Sequence, residues 1–230
     1  MSAAQPTTET RGAVSTSWIG YVAPIAVFLI MTAGLEAYFP KYYVWLYILK
    51  VVLVSATLVA FRTTWRDIRF EPRVLVPAVL VGAVVFVEWI LVDKITPRLA
   101  ILGGRAAFDP FATLHESALR GLFLAFRFFG LVLMVPVMEE LFWRSFLLRY
   151  FTNENWAALP IGEFSRTAFA MVAVAFGLAH PEWLAAIFCA VAYGLLLRQT
   201  RSLLACVVAH ATTNLALGIY VLLTRQWHFW

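Results

Sequence analysis

Two adjacent carboxylates and an arginine stand inside a strongly apolar stretch, Pro136-Val137-Met138-Glu139-Glu140-Leu141-Phe142-Trp143-Arg144. Further on, His180 follows Phe176 by four residues and Asn214 follows His210 by four. Each charge of this kind costs about 2.5–3.5 kcal/mol at the centre of a bilayer, so it is expected to be paired and to mark function. Residues four apart share a helix face, so Arg144 can meet Glu140 and Asn214 can lie beside His210. Glu139 points about 100° away from Glu140 on a helix, which leaves one carboxylate held by the arginine and one free.

A free carboxylate beside an imidazole in a sequestered pocket can act as general base on water. An imidazole and an amide N–H on one helix face can donate to a developing oxyanion. Together they could hydrolyse an amide without a covalent intermediate. Two histidines, a glutamate and a water also make a catalytic zinc set, so zinc is a second reading. The chain has no His-Glu-x-x-His pattern, however, and the glutamate pair has its own arginine. A third chemistry, a thiolate at Cys206 activated by His210, is opposed by the apolar run around Cys206, the setting of an inert buried thiol.

The elements that must carry these residues follow from composition. The chain has 230 residues, is 62% hydrophobic and only 13% charged, against about 25% charged in soluble domains. The expectation is an all-α, polytopic transmembrane bundle: a disordered polar tail over 1–16, then a single domain over 17–224. The net charge of +5 fits loop arginines facing anionic lipid, not nucleic-acid binding. Spans are expected at about 17–36, 42–61 and 74–92, with a four-arginine loop (62, 66, 69, 73) between the second and third. Lys50 and Glu88 lie inside spans; Lys50 is expected to snorkel or to be paired, and a partner such as Lys50 is the plain reading for Glu88. A long loop over 93–119 precedes the motif region.

Pro136 can open a helix, because its missing N–H falls where no intrahelical bond forms. The spacing therefore predicts two segments, 120–135 and 137–150, and about eight membrane segments in all, one of them short. This arrangement puts Glu139 and His180 at the same face, with both termini cytoplasmic.

Glu139-Glu140-x-x-x-Arg144, Phe176-x-x-x-His180 and His210-x-x-x-Asn214, in that order on apolar helices, resemble the three motifs of the CAAX prenyl protease and bacteriocin-processing (CPBP/Abi) family of intramembrane proteases. The resemblance covers about 119–222. It implies that Glu139 and His180 activate the water, that His210 and Asn214 form the oxyanion site, and that Glu140, Arg144 and Phe176 support it. It also implies a metal-independent glutamate mechanism, a peptide or protein substrate, membrane-anchored or not, and the inner membrane of a bacterium. The first half is similar to the subgroup associated with exosortase and PEP-CTERM sorting. The competing expectation is a non-catalytic scaffold or immunity protein in which the same polar network fixes helix packing.

Overall fold

In the computed structural model, residues 18–97, 99–102, 104 and 107–230 are described; the tail expected over 1–16 lies outside them. The outer surface is apolar: Leu29, Ile30, Val76, Leu80, Val84 and Leu223 are exposed, while Glu36, Lys50, Glu140, Arg144 and Arg149 are buried. This inversion of a soluble fold is what a hydrocarbon solvent demands, because every polar group must find its partner inside.

Among the described residues six helices are long and apolar enough to cross a membrane: α1 Ile19–Glu36, α2 Pro40–Ala60, α3 Pro72–Asp93, α4 Ser117–Thr152, α6 Trp183–Thr200 and α7 Leu203–Thr224. Between α4 and α6 lies the shorter apolar α5, Arg166–Leu178. The protein is an all-helical, multi-pass membrane bundle. Among the described residues the apolar helices number seven where about eight segments were expected, and the difference lies at Pro136. Residues 117–152 form one helix of 36 residues, with wide π-type turns at Gly130–Met134 and Leu141–Leu147. In the first of these the Val135 N–H bonds the Gly130 carbonyl, five residues back. The next bond in that register would come from residue 136, and proline has no N–H to give. The Leu131 carbonyl is met instead by Asn214 Nδ2 of α7, at 2.8 Å. A neighbouring helix supplies the missing donor, so the helix runs on through its proline.

Contacts at the two ends of the bundle locate the start of α1 and the segment after α7. Tyr21 of α1 bonds Asp67 in the four-arginine segment at 2.8 Å, so α1 begins at that basic end. His228 lies 3.4 Å from Asp93 at the end of α3, and Trp227 packs on Phe111. The start of α1 and the segment after α7 therefore sit at opposite ends of the bundle, not on one face as the eight-segment count required.

Small residues set the helix spacing around the site. A Cβ on Gly82 of α3 would fall 2.4 Å from the Ala209 carbonyl oxygen, so α3 and α7 touch backbone to backbone. Tyr193 of α6 donates to Thr213 Oγ1 at 2.7 Å, and Thr213 donates to the Gly82 carbonyl at 2.8 Å. This relay ties α6, α7 and α3 together one turn below His210.

Lys50 pairs with Glu36 at 2.8 Å and bonds Thr32, not Glu88 as the span order suggested. The α1–α2 hairpin brings Glu36 back to it, a tertiary placement that sequence distance does not reveal. Glu88 has both carboxylate oxygens buried with no hydrogen-bond partner.

Candidate active site

The two glutamates of α4 diverge as helical geometry requires. Glu140 is fully buried, and its Oε1 accepts from Arg144 Nη1 at 3.1 Å and from His210 Nδ1 at 2.8 Å. An oxygen that takes two donors is the acceptor of both, so Nδ1 of His210 carries the hydrogen and Nε2 is the ring's working nitrogen. The carboxylate thus holds the imidazole in one tautomer and one orientation. The Arg144 guanidinium lies 4.5 Å over the Phe176 ring and 5.4 Å over that of Tyr193, and its charge is covered by π faces where the carboxylate does not reach.

His180 follows the last turn of α5. Its Nδ1 lies 2.7 Å from the Phe176 carbonyl. A carbonyl only accepts, so Nδ1 again bears the hydrogen, and Nε2 is the basic nitrogen. The ring stacks 4.5 Å from that of Phe176 and meets Trp89 of α3 edge-on at 6.0 Å. Phe176 therefore touches both the arginine and the histidine, and His180, Phe176, Arg144, Glu140 and His210 form one continuous set of contacts.

Glu139 is brought level with His180 by register. α4 and α5 run antiparallel, with Trp143 and Phe176 packed 5.5 Å apart across them. Glu139 is one turn before Trp143 and His180 one turn after Phe176, towards the same end. Each lies about 20 Å from the basic end, by the 1.5 Å rise of the residues to Thr152 and from Arg166.

Glu139 is 8% exposed and its Oε2 has no hydrogen-bond partner. Glu140 Oε2 and Arg144 Nη2 likewise have none. A helix-packing network in hydrocarbon is expected to close its own bonds; this one presents two acceptors and a donor at its centre.

Asn214, expected beside His210 as an oxyanion donor, gives an N–H of its amide to Leu131. The amide nitrogen has a second hydrogen. Cys206 donates to the Tyr193 carbonyl at 3.3 Å, which engages the thiol away from the histidine. Among the described residues no three or more His, Cys, Asp or Glu side chains are grouped to hold a metal ion.

Sequence reasoning missed two contributors. Asp67 Oδ2 accepts from Tyr21 at 2.8 Å, from Ser145 at 2.5 Å and from Arg149 at 2.9 Å, clamping the arginine-rich segment to α4 beside Arg144. The signal available was an aspartate within a run of arginines, which reads as an ordinary solvated loop. The other is Trp89, which walls His180; nothing in its local sequence separates it from an interfacial tryptophan.

Residues 121–216 match the family described as type II CAAX prenyl endopeptidase Rce1-like. The matched stretch contains all seven motif residues. No curated protein and no solved structure matches the chain.

Proposed function

We propose, from the match of residues 121–216 to the type II CAAX prenyl endopeptidase Rce1-like family, that this chain is an intramembrane endopeptidase that hydrolyses a peptide bond with a glutamate-activated water. The observation that carries the proposal is the His210–Glu140–Arg144 contact, with a single carboxylate oxygen serving both donors, buried beside a glutamate whose own oxygen is uncommitted.

The roles follow from the bonds. Glu139 takes a proton from water as the oxygen attacks the carbonyl carbon, and His180 Nε2 shares that proton. The oxyanion formed accepts from His210, whose imidazolium form carries a hydrogen on Nε2 and is stabilised by Glu140 through Nδ1. Asn214 lends its second N–H. The proton held by Glu139 and His180 then passes to the leaving nitrogen as the C–N bond breaks. Arg144 and Phe176 hold Glu140 and His180 in place and touch no reacting atom. No step in this scheme calls for a metal.

The substrate is a peptide or protein that reaches the bundle from the bilayer. By the excess of positive charge, the end carrying Arg62, Arg66, Arg69, Arg73 and Arg201 faces the cytoplasm of a bacterial inner membrane; α1 then starts inside and α7 ends outside. The test is cleavage by the purified protein in liposomes. Wild type should release one new terminus from its substrate, and Glu139→Ala or His180→Ala should release none while remaining folded. Membrane-proteome comparison of wild-type and Glu139→Ala cells identifies that substrate. Equal cleavage by a folded Glu139→Ala would refute Glu139 as the base, whereas no cleavage of any membrane peptide combined with a shared loss of Tm in every polar variant would favour the scaffold reading.

A further inference from the structure

At the basic end, a cavity of about 380 Å³ opens between the segment after α2, the loop before α5 and the start of α7. Arg66, Arg69 and Arg201 line it, together with Asp67 and Glu71. The two acids are engaged elsewhere: Asp67 by Tyr21, Ser145 and Arg149, Glu71 by Arg73 at 2.8 Å. Arg66 and Arg69 have no hydrogen-bond or ion-pair partner among the described residues, and Arg201 has only a 3.4 Å contact with the exposed Glu163. The cavity is therefore electropositive although acids are among its walls.

Its floor is the N-terminus of α7, a helix of 22 residues. Ser202 occupies the capping position in an extended conformation, yet its side chain makes no capping bond. It is 3% exposed and its Oγ has no partner at all. Serine at this position ordinarily closes on the second or third N–H of the helix. Here those N–H groups and the hydroxyl are left to an outside acceptor, at the positive end of the helix dipole. The third arginine is brought in by backbone shape. Arg201 adopts φ 54°, and its Cδ packs over Gly162 (φ +78°), where a Cβ would lie 2.8 Å from that Cδ and 2.9 Å from the Leu197 carbonyl oxygen.

We propose that this cavity binds a phosphoryl anion, seated on the α7 N-terminus and Ser202 and gripped by Arg66, Arg69 and Arg201. Guanidinium forks and a helix N-terminus together are the chemistry of phosphate recognition. At a membrane face the anion comes from an acidic lipid headgroup or from free phosphate. Asp67 is shared between this wall and α4, so an occupied site braces the arginine segment against the turn that carries Arg144. The inference is independent of the proteolytic reading, since its readout is binding.

The test is thermal unfolding of the full chain in nanodiscs of phosphatidylcholine, of phosphatidylcholine with phosphatidylglycerol, and of phosphatidylcholine with inorganic phosphate. Saturating anion should raise Tm by about 5 °C or more. Arg66→Gln/Arg69→Gln should lose most of that rise, and Ser202→Ala part of it. Arg62→Gln, on the same segment but outside the cavity, should keep it. A rise with inorganic phosphate identifies the free ion as sufficient; a rise only with phosphatidylglycerol identifies the headgroup. No rise with either anion overturns the site. So does a full rise in both the double arginine variant and Ser202→Ala, or a loss in Arg62→Gln equal to that in the double variant, which would mean diffuse surface charge.

Discussion

Glu140 Oε1 lies 2.8 Å from Nδ1 of His210, seventy residues away along the chain, and takes Arg144 on the same atom. The glutamate that looked committed to its arginine is thus the residue that orients the histidine. Glu140→Gln should cost both stability and turnover. It leaves a buried guanidinium without its counter-charge, a loss of about 3–5 kcal/mol when one partner of a buried pair is removed. Thermal unfolding and a cleavage assay on the same preparation check it; a variant with wild-type Tm and activity would contradict the assignment.

Asn214 has two separable tasks. Asn214→Leu uncovers the Leu131 carbonyl inside the bilayer and should lower stability by about 0.6–1.7 kcal/mol, the range for interhelical bonds in membranes. Pro136→Ala restores an N–H to α4 and should recover that stability in the double variant. Activity should not recover, because the amide is still missing from the reacting carbonyl. If the double variant regains full activity, Asn214 serves only the helix.

Chelation separates the metal readings. The purified enzyme treated with EDTA and 1,10-phenanthroline should keep its rate, and added zinc should not raise it. Loss of activity on chelation, restored by zinc, would replace the glutamate mechanism by a metal one. Cys206→Ser should also remain active, since the thiol already donates to Tyr193.

The Asp67 clamp is predicted to set stability rather than chemistry. Asp67→Asn leaves Arg149 and Ser145 of α4 with a weaker acceptor, and Tm should fall by several degrees while KM holds. A changed KM with unchanged Tm would place Asp67 in substrate binding instead.

What the sequence made legible was local. Helical spacing alone paired Glu140 with Arg144 and set Glu139 apart, and hydropathy alone established a helical membrane bundle. The relations that escaped are those between distant segments. Pro136 carries a strong stop signal, but whether it stops a helix depends on whether another helix can serve the orphaned carbonyl, and Asn214 lies 78 positions on. The π-type turns of α4, each adding a residue and rotating the face that follows, leave no trace in hydropathy. Lys50 and Glu88 were the obvious couple because few charges lie in spans; the tight turn between α1 and α2 gave Lys50 a nearer one in Glu36.

The account rests on Glu139 as the base that activates water. The most direct measurement is single-turnover cleavage of the identified substrate by Glu139→Gln in liposomes, with Tm recorded on the same sample. The predicted result is a rate lower by about 10²–10⁴-fold, the usual contribution of a positioned general base, at a Tm within a degree or two of wild type. Cleavage at the wild-type rate by a folded Glu139→Gln protein would contradict it.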